Sequence, residues 1–148
     1  MTDRPLLIDD HLLLRVLLAD EPASLREGGA QLFTTGLWYH RLGRALSDQA
    51  VTGSMSRRLG SAPPALAAEV VAAVASLPAT IGLVSLRELA WPMAGLVAAG
   101  AHLNLLSLEA LAAARHLGAE ICLARADDNP PLSAAAEAAD IGLRVIDR

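Results

Sequence analysis

Short apolar runs, each closed by turn residues and separated by segments of helical periodicity, constrain this chain more than any other feature. Pro5-Leu6-Leu7-Ile8 is the first run, stopped at once by the pair Asp9-Asp10. A run this short and apolar at consecutive positions suits a strand buried on both faces. Thr80 to Leu86 reads the same way, and Gln31 to Thr34, Ile121 to Leu123 and Leu143 to Ile146 are the other predicted strands. Between them, Asp10 to Ala19 carries Leu12, Leu13, Val16 and Leu17 at helical spacing, with Asp9 or Asp10 as cap. Leu37 to Leu46, Ala65 to Leu77, Ser85 to Ala99, Ser107 to Leu117 and Leu132 to Ala139 are the remaining predicted helices. Pro64 starts the second of these five, and Gly118 stops the fourth. Ser47 to Pro64 reads as a loop with one helical turn around Met55 to Leu59, and Asp127 to Pro131 as a turn. Strands alternating with helices predict an α/β fold, a three-layer sandwich around a central, mostly parallel sheet.

Composition narrows the function classes. The 148 residues suit one domain, 1–148, and 53% hydrophobic content with 30 alanines and 28 leucines excludes a disordered or collagen-like chain. Cys122 is the sole cysteine, so neither a disulfide framework nor a cysteine-rich zinc module fits. All 12 basic residues are arginine. A chain without lysine has no Schiff-base chemistry and no Walker-A phosphate loop. Asp9 and Asp10 interrupt the N-terminal apolar run before a secretory core forms. The uncharged stretch Leu89 to Leu108 contains Pro92, Gly95, Gly100, His102 and Asn104, which argues against a bilayer helix. A soluble cytoplasmic protein is the expectation, with no membrane partner. The net charge of −4 is too mild to specify a partner.

The acids carry the chemical signal. In open α/β sheets ligands bind at the carboxyl ends of strands, where strand order reverses. The first predicted strand ends at Asp9, with Asp10 beside it, and the fourth leads to Asp127, with Asp128 beside it. Glu109 lies near the start of the helix that feeds the fourth strand. Carboxylates crowded at one edge repel, and a divalent cation with hard oxygen ligands relieves that repulsion. Mg²⁺ or Mn²⁺ held there could activate water against a phosphodiester. Ordinary roles stand beside this reading: an N-cap for Asp9 or Asp10, a helix-dipole partner for Glu109, turn residues for Asp127 to Asn129.

Ile8-Asp9-Asp10-His11-Leu12-Leu13 also looks like the opening of a response-regulator receiver domain. That pattern requires an aspartate after the third strand and a lysine after the fifth, and the chain supplies neither. A fuller match runs through most of the chain. Leu7-Ile8-Asp9-Asp10-His11-Leu12-Leu13, then Leu83-Val84-Ser85-Leu86, Leu106-Ser107-Leu108-Glu109-Ala110-Leu111-Ala112 and Arg115 to Asp127 come in the order of a PIN domain. Leu132 to Ala136 and Gly142 to Val145 close the pattern. The chain thus resembles the PIN domain, the metal-dependent ribonuclease fold of bacterial VapC-type toxins.

The resemblance implies a PIN-like sandwich that hydrolyses RNA with Mg²⁺ or Mn²⁺. Asp9, Glu109 and Asp127 would be catalytic, holding the metal and orienting water, with Asp10 and Asp128 as further ligands or supporting groups. It also implies RNA as substrate and an antitoxin protein as partner. One position departs from the pattern. The family carries a glutamate in the helix that here reads Leu37-Trp38-Tyr39-His40-Arg41-Leu42, and no acid lies between Glu27 and Asp48. Tyr39, His40 or Arg41 stands in its place, which removes charge and oxygen donors from a metal site. The alternative is therefore a catalytically impaired PIN-like domain that binds RNA or a protein partner.

The remaining residues read more plainly. His40, His102 and His116 are too scattered for a metal motif, while His11 falls near the acids. Cys122 lies within an apolar strand as an inert core residue. Trp38 and Tyr39 suit core packing or base stacking, and Arg41, Arg44, Arg57 and Arg58 suit a solvated surface or RNA phosphates. Trp91 and Met93, on one apolar helix, are candidates for a homodimer face.

Overall fold

The computed structural model describes residues 3–47 and 53–147. Residues 48–52, in the loop expected from Ser47 to Pro64, lie outside the described residues, as do the two N-terminal residues and Arg148. Five parallel strands form the sheet, in the order β3-β2-β1-β4-β5. They are β1 (Leu6–Ile8), β2 (Leu32–Thr35), β3 (Ile81–Val84), β4 (Glu120–Ala124) and β5 (Leu143–Ile146). Among the described residues seven α-helices accompany them. These are α1 (Asp10–Leu17), α2 (Gly36–Ser47), α3 (Ser54–Gly60), α4 (Pro64–Ala75), α5 (Leu86–Ala98), α6 (Leu105–Leu117) and α7 (Pro130–Ala138).

Strand β1 is apolar throughout, and β4 is apolar from Ile121 to Ala124, because both faces of the sheet are covered there. Leu6 and Ile8 pack with Leu13 of α1, Leu42 of α2 and Val70 of α4 in one layer. Leu7, Ile121 and Leu123 pack on the other side with Leu89 of α5, Leu111 of α6 and Leu132 of α7. The result is a three-layer α/β sandwich, as the alternation predicts and as a PIN-like architecture requires. Residues Ser107 to Ala114 of α6 are buried without interruption. Four of those eight are alanines, whose small side chains let the helix lie close to the sheet and its neighbours. On the edge, Gly82 of β3 sits opposite Phe33 of β2, and a Cβ at Gly82 would come within 2.3 Å of the Phe33 ring. Phe33 thus covers the glycine across the strand pair.

Boundaries differ from the sequence reading where pairing and capping decide them. Strand β4 extends to Glu120 and Ala124 because it is paired on both sides. Helix α7 takes in Pro130 and Pro131, expected in a turn, because the first helical positions need no N–H donor. Asn129 caps it, accepting from the Leu132 N–H at 3.2 Å. The single helical turn expected around Met55 is the whole of α3. The uncharged stretch from Leu89 is split between α5 and α6 by a turn at Gly100, where φ is +96°. Among the described residues no helix is long and apolar enough to cross a membrane.

Strands β1, β2 and β3 build outward in one direction, and β4 then returns to the other side of β1. The order therefore reverses between β1 and β4, and the crevice at their carboxyl ends is the position for a site.

Candidate functional site

Asp9 follows β1 directly and caps α1. Its Oδ1 accepts from the Leu12 N–H at 2.9 Å, and its Oδ2 accepts from the Ala124 N–H at 2.8 Å at the end of β4. One carboxylate thus ties the first helix to the neighbouring strand across the reversal point. Asp10, the first residue of α1, is fully buried beside it. Asp127 closes the short 3₁₀ turn after β4 (Arg125–Asp127) and reaches the same place. Asp9, Asp10, His11 and Asp127 each offer one ligand atom, and these atoms lie within 4.8 Å of one another. By spacing alone this cluster could hold a metal ion.

Two cations of the chain already lie among these acids. The Arg41 guanidinium, projecting from α2, hydrogen-bonds Asp10 through Nε and Nη2, the latter at 2.8 Å from Oδ1. The same Nη2 donates to Asp127. His11 Nδ1 lies 3.1 Å from Asp10 and 3.8 Å from Asp127. Hydrogen bonds to Asp10 and Asp127 outweigh burial and raise the imidazole to about 10, so His11 is cationic at neutral pH. Burial pushes the Asp10 carboxyl up, but hydrogen bonds from Arg41 and His11, with their charges, hold it below the ordinary carboxylate range. Burial raises Asp9 to about 7 against its two backbone hydrogen bonds, and repulsion from Asp10 and Asp127 adds to the rise. Asp10 and Asp127 are balanced by Arg41 and His11, and Asp9, raised to about 7, is only partly ionised at neutral pH.

That balance bears directly on a resident metal. A unit charge about 4 Å from another contributes about 4 kcal/mol at an effective dielectric of about 20, doubled for a divalent ion and reduced where water enters. Arg41 is 37% exposed, so water lowers this repulsion without removing it. A divalent ion would also compete with Arg41 for oxygens of both Asp10 and Asp127. The donor spacing suits a cation, but with Arg41 in place the set as built does not fit a divalent one.

No protein-family model matches the chain, and no curated protein matches it. The site's chemistry therefore stands on its own residues.

Of the residues expected at the site, the structure brings Asp9, Asp10 and Asp127 together, with His11. Glu109 and Asp128 are not part of the cluster. Glu109 is fully buried on α6, and its Oε1 accepts from the Leu37 N–H at 2.8 Å. That bond satisfies a free donor at the start of α2, so the acid caps another element's helix rather than its own. Its Oε2, buried beneath Gly36, has no hydrogen-bond partner. Asp128 is exposed and lies past the turn that directs Asp127 inward.

Arg41 is the site residue that the sequence reading left among surface and phosphate-binding arginines. Its signal is the stretch between Glu27 and Asp48, which carries no acid, with Arg41 seven residues after Thr34. Trp38 is buried in the core, Tyr39 donates its hydroxyl to the Val74 carbonyl, and Cys122 is buried, with burial raising its thiol to about 11. Met93 is buried too, so only Trp91 of that pair is available to a partner.

Proposed function

We propose that this chain is a PIN-like domain without metal-dependent hydrolysis, serving as a protein-interaction module. The observation that carries the reading is Arg41 bridging Asp10 and Asp127 at the strand-reversal crevice. The resemblance implies a ribonuclease that gathers uncompensated carboxylates around Mg²⁺ or Mn²⁺. Here the charge of those carboxylates is met from within the chain, and Glu109 is engaged in capping α2. The two cations at the crevice, Arg41 and His11, are engaged by Asp10 and Asp127, which leaves little free positive charge there for RNA phosphates. A protein partner is favoured by α5, where Trp91 is 87% exposed, with Leu86 and Val97 exposed on another side of the same helix. Large aromatic side chains such as this are enriched at contact surfaces.

The test is incubation of the full chain with labelled single-stranded RNA in Mg²⁺ and in Mn²⁺, read by gel and by fluorescence anisotropy. The expected result is intact RNA and no saturable binding. Metal-dependent cleavage that disappears in Asp9→Asn and Asp127→Asn overturns the reading and restores the ribonuclease. Saturable RNA binding without cleavage replaces the protein partner with RNA.

A further inference from the structure

We infer that Arg41 is a resident counter-ion occupying the place of a divalent cation, and that it is the main barrier keeping the Asp9–Asp10–Asp127 cluster closed to metal. This deepens the non-hydrolytic reading above by assigning its cause to one side chain. Three observations support it. The donors lie within 4.8 Å of one another, close to the span of ligands around one divalent ion. They project from three places fixed by the fold: the end of β1, the first turn of α1 and the turn after β4. Arg41, by contrast, comes from α2 and is partly exposed, so its side chain can be shortened without disturbing the strands that position the acids.

The guanidinium also contacts both Asp10 and Asp127, and a planar donor that spans two carboxylates is a close substitute for a bridging ion. His11 supplies a second positive charge within the same cluster, but it is Arg41 that spans Asp10 and Asp127 with direct hydrogen bonds to both. The His11 Nδ1 is itself among the atoms that could ligate. Removing the arginine therefore leaves three carboxylates and an imidazole facing one another. A glutamate in its place adds a fourth carboxylate from the same helix.

The experiment is calorimetric titration of the full chain with MnCl₂, on wild type, Arg41→Ala, Arg41→Glu and Arg44→Ala. Arg44 is on the same helix and outside the cluster, so its variant controls for lost surface charge. Circular dichroism and the thermal midpoint confirm folding in each case. The account predicts no saturable Mn²⁺ binding by wild type or Arg44→Ala. Saturable binding should appear in Arg41→Ala and be about 10-fold tighter again in Arg41→Glu, from the change in local charge. Adding Asp127→Asn to either Arg41 variant should abolish this binding.

Should Arg41→Glu fail to fold without metal, refolding on addition of Mn²⁺ supports the inference, and Arg41→Ala still decides it. Folded Arg41 variants that bind Mn²⁺ no better than wild type overturn it. So does wild-type binding as tight as that of the variants. Neither outcome touches the RNA result, because wild-type cleavage is read separately. The two claims can therefore fail independently.

Discussion

At the residue scale, His11 and the aspartates around it set how stability depends on pH. The His11 pKa rises from 6.5 to about 10 on folding, so its contribution is complete below about 6.5 and is lost as pH rises toward 10. Asp9 rises from 3.8 to about 7, so its effect also declines as pH rises, between those values. Asp10 is lowered, and its contribution is present above 3.8 and lost as pH falls through its folded value. Stability should therefore peak in mildly acidic solution and decline through pH 7 to 10. Thermal midpoints taken from pH 2 to 10 check this. His11→Gln should flatten the limb above pH 6.5 and weaken the acid limb without removing it, because Arg41 still holds Asp10 down; an unchanged alkaline limb contradicts the assignment. Much of this neighbourhood was legible in the sequence, because acids directly after short apolar strands converge in any parallel sheet. The counter-ion was not. Whether an arginine on a helix faces solvent or an acid depends on how that helix rolls against the sheet, and periodicity around Leu42 leaves that roll open.

At the element scale, Glu109 illustrates how one position can be read correctly in its location and wrongly in its partner. The reading placed it in the first turns of the helix before β4, where it is. It was expected to face the acids, but α2 begins directly over it and offers the Leu37 N–H instead. Truncation should therefore act on stability through α2. Glu109→Ala removes this cap and leaves a cavity in the α6 layer, for a loss of about 2 kcal/mol by urea unfolding. Glu109→Gln keeps the accepting oxygen and should lose less than about 1 kcal/mol. Equal losses in the two variants would sink the capping role. Strands and helices themselves were readable because each obeys a local rule: unbroken apolar runs for β1 and β3, proline and glycine at the ends of α4 and α6. The boundaries that shifted, at β4 and α7, were decided by a second paired neighbour and by an asparagine cap.

At the scale of the whole molecule, the fold provides a crevice at the reversal of strand order and the chain's own charges close it. The sheet order, the Asp9 tie between α1 and β4, and the reach of Asp127 are all consistent with a domain shaped around a cation. That cation is an arginine. The measurement that tests this most directly is an anomalous-difference map from wild-type crystals grown in MnCl₂. The account predicts Arg41 spanning Asp10 and Asp127, with no manganese peak among Asp9, Asp10 and Asp127. A manganese peak at that position, with Arg41 turned out to solvent, would contradict it.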